Sequence, residues 1–87
     1  MAIVTGTFSG TGTSAAIAMC HGVVSMNFSG AASVDVEEQI PTTGSWIKIV
    51  TGITANYRQN YDSPVIRTLR LNYTAYTNAV EYSIEAV

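Results

Sequence analysis

Residues 34–52 read VDVEEQIPTTGSWIKIVTG. Side chains alternate across an extended chain, so Val34, Val36 and Ile40 fall on one side while Ser33, Asp35, Glu37 and Gln39 fall on the other. This is the pattern of a half-buried antiparallel strand whose acids are expected in water. Pro41 presets φ for a turn, and Gly44 can take the positive φ that reversing the chain often needs. The returning strand starts at Trp46. In Trp-Ile-Lys-Ile-Val, Ile47 and Ile49 share one face, and Trp46 and Val50 share the other with Lys48. Both faces want cover. The strand is therefore either central in a two-layer sandwich or meets another subunit through its Trp46 face, since a large apolar group left in water needs a reason.

The same period of two recurs on either side. Downstream, residues 53–61 are polar with two tyrosines and read as an edge strand or long connection. Pro64 closes that excursion. Strict alternation resumes over 65–75, with Val65, Leu69, Leu71, Tyr73 and Ala75 inward and Thr68, Arg70, Asn72 and Thr74 outward. Arg67 interrupts the inward set, and its long stem is expected to cross apolar surface and place its head in water. Thr77-Asn78 reads as a short hairpin connection to a last strand carrying Val80, Tyr82 and Ile84 on its inner face. Upstream, residues 3–8 are β-prone and 14–20 read as a short strand. His21-Gly22 then separates 14–20 from a strand with Val24, Met26 and Phe28 inward.

No window of a dozen residues shows the apolar spacing of an amphipathic helix, whereas seven or eight short strands recur at roughly ten-residue spacing. The expected fold is an all-β antiparallel sandwich, immunoglobulin-like or jelly-roll-like, or else a flattened barrel, forming one domain over residues 1–87. Its core is expected to hold Val24, Met26, Phe28, Val34, Val36, Leu69, Leu71, Val80, Tyr82 and Ile84.

Of the 87 residues only 11% are charged, while 47% are apolar. Soluble domains average about 25% charged residues, so this surface reads as one largely committed to contacts. A net charge of −2 and four dispersed basic residues, Lys48, Arg58, Arg67 and Arg70, form no footprint for nucleic acid or an anionic membrane. The start, MAIVTGTFSG, has neither a basic segment nor a long apolar one, so no cleaved signal peptide is expected and synthesis in a cytoplasm is. Cys20 stands alone, which excludes an internal disulfide and a cysteine-rich zinc site. The sequons at Asn27 and Asn72 read as ordinary strand residues.

Little here spells out chemistry. The Gly-rich run 10–13 has no lysine after it until Lys48 and is not a phosphate loop. Cys20 and His21 are neighbours on a strand and point apart unless the chain bends at Gly22. The carboxylates pair up as a solvent-facing strand would place them, except Glu38, which lies in line with Val36 and Ile40 and must either pair with an arginine or sit at an interface. No catalytic residue, metal ligand or cofactor is expected, and the chain reads as a non-enzyme. The interface candidates are Trp46, Tyr57, Tyr61, Tyr76 and Glu38, whereas Tyr73 and Tyr82 alternate with the core.

Several local features lie together over about residues 22–86: Gly30-x-x-Ser-Val-x-Val-Glu, Gly44-Ser-Trp46, Ala55-Asn56-Tyr57, Arg70-Leu71, Ala75-Tyr76 and Val80-Glu81-Tyr82. In these the chain resembles small β-sandwich proteins of tailed-phage virions, although its turn is Pro-Thr-Thr-Gly-Ser rather than Asp-Gly-Gly. The resemblance implies a virion component, first a capsid decoration (cement) protein, next a head-fibre, neck or tail accessory. A small core beside a low-charge surface and the Trp46 face points to a homo-oligomer, and the resemblance implies that it is a trimer on a major capsid or other virion protein; the charge pattern implies no nucleic-acid or membrane partner. An alternative of another class is a small carbohydrate- or surface-binding module using Tyr57, Tyr61 and Trp46.

Overall fold

The hairpin expected from residues 34–52 is present, as strands β4 (Ser33–Gln39) and β5 (Trp46–Ile53). Gln39 pairs with Trp46, and the turn is closed from both sides: the Gly44 N–H donates to the Ile40 carbonyl, and the Ile40 N–H to that of Ser45, each at 2.8 Å. Gly44 has φ of +76°, a backbone region costly to any residue with a Cβ, which explains the glycine. The computed structural model describes residues 2–75 and 77–87. Among these the remaining strands are β1 (Ala2–Phe8), β2 (Gly12–Thr13), β3 (Ile17–Phe28), β6 (Tyr57–Ala75) and β7 (Val80–Ala86), with no helix. The protein is all-β and every strand pairing is antiparallel.

Two strands are longer than their sequences suggest. The break expected at Pro64 is absent as a break, because β6 runs through it for 19 residues. Its ladder with β3 passes from His21↔Asp62 to Met19↔Arg67, so residues 63–66 bulge away from β3. Proline, which has no N–H to give a ladder, sits in that bulge. On β3 the matching irregularity lies between Met19 and His21, one step before the separation expected at His21-Gly22, where pairing is continuous. The additional residues of this bulge are on β6, and burial along β3 changes parity across it, so that Ile17 and Met19 before it and Val24 and Met26 after it all face the core. Gly22 pairs with both Tyr61 and Ala86, and a Cβ on it would run into the Glu85 carbonyl oxygen.

Strand order is β1-β7-β3-β6-β4-β5, with the short β2 also on β6. The N-terminal half of β6 pairs with β3 and the C-terminal half with β4, so one open sheet folds over itself about this shared strand. The body measures 35 × 26 × 17 Å, the thickness of a sandwich-like pair of layers. A single core joins the halves: Val24, Val80 and Ile84 come from one, and Val34, Val36 and Ile53 from the other, with Leu69, Leu71 and Tyr73 on β6 between them. Phe8 of β1 meets the Tyr73 ring edge-on at 5.1 Å and stacks on Tyr82 at 4.4 Å.

The hairpin expected around Thr77-Asn78 does not form. β7 pairs with β1 and β3 and never with β6. The connection instead crosses between layers beside the β3–β4 connection, through Ser29 N–H to Ala79 O at 3.1 Å and Asn78 N–H to Ala31 O at 2.9 Å. The Tyr73 hydroxyl anchors it by donating to the Asn78 carbonyl. Of the expected core, Phe28 and Tyr82 are only half-buried, while the other eight are buried. Val65 and Ala75 face solvent, because the bulge at 63–66 rotates Val65 out of the inward set and Ala75 lies at the strand end. Phe8, Ile17, Met19, Ala32, Ile53 and Tyr61 join the core from segments whose periodicity is broken or polar.

Leu71→Ala should therefore lower stability by about 2–5 kcal/mol, as large-to-small changes in filled cores do. Val65→Ala, on the same strand but 65% exposed, should stay within about 0.5 kcal/mol of the parent. Urea unfolding followed by tryptophan fluorescence separates the two, and equal effects would contradict the inward assignment of β6.

Candidate functional site

The outer face of β4, β5 and the C-terminal half of β6 carries a charge cluster that replaces the solvated acids expected from alternation. Asp35 and Glu37 are buried. Asp35 accepts from the Lys48 ammonium at 2.5 Å and from the Gly52 N–H at 2.9 Å. Glu37 sits opposite Lys48 on β5 and Arg70 on β6 and accepts from Arg70 Nε at 2.7 Å and Asn72 Nδ2 at 3.0 Å, with Lys48 3.9 Å away. Long side chains on the flanking strands close over the two short acids, which is why a polar face ends up buried. Burial works against the charge on both carboxyls. The hydrogen bonds, led by Lys48 for Asp35 and by Arg70 for Glu37, outweigh it and hold both below the usual range. The bond to Asp35 in turn raises the Lys48 ammonium.

Trp46 belongs to this face. It is half-buried with the Arg70 guanidinium 4.0 Å from its ring centre, so its cover is a cation from the same chain. β5 is not central: it is the last strand of the sheet, and two register shifts against β4 break its alternation. Glu38 pairs with an arginine, Arg67, at 2.9 Å, and the Arg67 head is therefore engaged there rather than free in water. Tyr61 is a core residue, its hydroxyl 2.6 Å from that of half-buried Tyr57. Burial, then the bond with Tyr57, pushes the Tyr61 phenol up. Trp46 and Tyr61 are thus occupied within the chain and, with Tyr57, form no open stacking platform. Tyr76 lies outside the described residues.

Cys20 and His21 border one depression with Asp62, Ser63 and Pro64, and the partner of the imidazole there is Asp62. His21 Nδ1 lies 3.3 Å from Asp62 across the ladder, and both side chains are exposed. Asn27 and Asn72, the two sequon positions, give their amides to Glu81 at 2.9 Å and to Glu37 at 3.0 Å.

Two further surfaces were not foreseen. An open groove of about 590 Å³ runs across β3, β6 and β7, lined in part by Asn27, Asn56, Tyr57, Arg58 and Glu81. Within it Arg58 donates to Ser25 at 2.8 Å, and Asn56 accepts the Phe28 N–H at 2.8 Å. At one end of the body a shallow depression is lined by Ala2, Ala18, Met19, Cys20, Ile66, Ala86 and Val87, with no charged residue among them. Ile66 and Val87 are 69% and 83% exposed. The end patch joins residues from β1, β3, β6 and the chain end, which no local pattern could assemble.

The charge cluster sets a pH dependence. Asp35 and Glu37 titrate lower in the folded chain than at their ordinary values of 3.8 and 4.5, so the unfolded chain binds more protons in mild acid. The stability they contribute is complete above about pH 5 and is lost as pH falls through the ordinary values toward the depressed folded ones. Urea midpoints should be flat from neutral pH to about 5 and fall below it, and the fall should be shallower in an Asp35→Asn, Glu37→Gln variant. An unchanged slope in that variant would place the acid sensitivity elsewhere.

Neither a family model, nor a curated protein, nor a solved structure matches this chain.

Proposed function

We propose that the chain is a non-enzymatic structural protein of a tailed-phage virion, acting first of all as a capsid decoration protein that stabilises the head. The observation that carries this reading is a depression lined by apolar side chains, where Ile66 stands in water beside Ala2, Ala18 and Cys20. A small domain gains little by exposing such a patch alone and gains stability when a partner covers it. The scarcity of charge in the chain, 11%, agrees with a surface used for contacts. The virion as the place of assembly rests on the resemblance of residues 22–86 to small phage β-sandwich proteins. Head-fibre, neck or tail positions are variants of the same role.

The groove favours a second reading, a carbohydrate- or surface-binding module. Two amides, a guanidinium, a carboxylate and a tyrosine converge there, groups suited to sugar hydroxyls. The site would then be Asn27, Asn56, Tyr57, Arg58 and Glu81, not the Trp46 face.

Cosedimentation with purified capsids tests the first reading against a glycan array for the second. The chain is expected to pellet with capsids, and Ile66→Asp to abolish pelleting while leaving the circular-dichroism spectrum unchanged, since that side chain is mostly exposed. Array binding that Arg58→Ala removes, with no capsid association, would transfer the function to the groove. His21→Ala, outside that patch, should bind capsids as the parent does.

A further inference from the structure

The folded-over sheet leaves three long stretches of backbone edge, and they are not alike. β5 ends the sheet on one side but carries Lys48 and two register shifts. The side of β6 away from β3, over its N-terminal half, has Arg58, Asp62 and Pro64. Charges, prolines and bulges are the devices that keep an edge from pairing with another chain. β1, which ends the sheet on the other side, has none of them. Its sequence AIVTGTF contains no charge and no proline, and its seven residues pair with β7 in unbroken register from Ala2↔Ala86 to Phe8↔Val80.

The edge is also uncovered. Ala2, Ile3, Thr5 and Thr7 are exposed. Among the described residues no turn, loop or side-chain hydrogen bond reaches β1 beyond its ladder with β7. Outward N–H and C=O groups of a straight, uncharged strand form a template that a further strand completes.

We infer that β1 pairs antiparallel with β1 of a second copy, joining two sheets across a twofold axis near Thr5. A second copy fits because an antiparallel strand is its own complement about a twofold axis and the same patch serves both partners. The solvent-facing set Ile3, Thr5 and Thr7 is neutral, so the copies meet without like-charge opposition. On the inner side the strand is already fixed: Gly6 leaves room for the Tyr82 ring, and Phe8 is buried against Tyr73 and Tyr82. The edge is therefore presented rigidly. The symmetry is twofold, in contrast to the threefold arrangement that the phage resemblance implies, and the inference stands independently of the capsid reading.

The test uses the full chain and two variants, Ile3→Lys/Thr5→Lys/Thr7→Lys and Ile3→Glu/Thr5→Glu/Thr7→Glu, at positions whose side chains are exposed. Sedimentation equilibrium should show the parent passing from monomer to dimer with concentration, with exchange of the β1 amides slowing in step. Each variant alone should have half the dimer mass at the concentration where the parent is paired, and an equimolar mixture should recover the dimer, seen by native mass spectrometry as a mixed pair. Recovery also shows that both variants are folded. A parent that is monomeric at all concentrations, or a lysine variant that still dimerises alone, overturns the inference. Protection of β1 that arises only when capsids are added overturns it too, in favour of a strand from another protein.

Discussion

At nineteen residues β6 is longer than any neighbouring strand, so no single neighbour pairs with all of it. β3 serves the first half and β4 the second, with β2 and the Ser14 backbone adding bonds near Leu71 and Tyr73. Because a buried N–H or C=O left unpaired costs free energy comparable to a lost hydrogen bond, the change of neighbour decides the architecture. The sheet folds where β6 passes from one partner to the other. Leu69, Leu71 and Tyr73 then lie in the middle of the core that this folding creates.

The opposite face of the same stretch explains the second unusual feature, two buried acids in a chain with few charges. Glu37 stands directly across from Lys48 and from Arg70, so three strands are locked in one register by one carboxylate. A slip of one residue would turn Val34 and Val36 outward and drive Asp35 and Glu37 into the apolar core, an arrangement far more costly than the loss of any single pair. Such a cluster adds little net stability compared with apolar packing, and its effect is chiefly on which pairing is adopted. Trp46 completes the arrangement by receiving Arg70 on its ring.

The surfaces that bear on function are distributed differently. The charge cluster is satisfied within the chain, with each carboxylate bonded and each cation matched. The end patch, the groove and the β1 edge still present groups to the outside. The expected interface residues on β4 and β6 divide the same way: Glu38 and Tyr61 are taken up by Arg67 and by the core, and half-buried Tyr57 borders the groove. An aromatic or charged residue signals that it needs a partner, but its letter does not say whether that partner is in the same chain.

Period-two alternation was enough to establish an all-β chain, the β4–β5 hairpin with its Gly44 turn, and eight buried residues at the centre of the core, because alternation and turn chemistry act over a few neighbouring residues. Alternation reports that a side chain faces inward, not which strand lies beside it. Only the tertiary structure could therefore place β7 between β1 and β3 instead of beside β6. It also carried β6 through Pro64, where a bulge removes the need for an N–H, and switched the parity of β3 just after Met19. Asp35 and Glu37 make the same point in charge: their spacing reads as a solvent face, and it is buried because Lys48, Arg70 and Asn72 arrive from strands distant in sequence. The Ala2–Ile66–Val87 patch and the unguarded edge of β1 likewise exist only after folding, when Ala2 comes to pair with Ala86 and β1 is left without a neighbour on its other side.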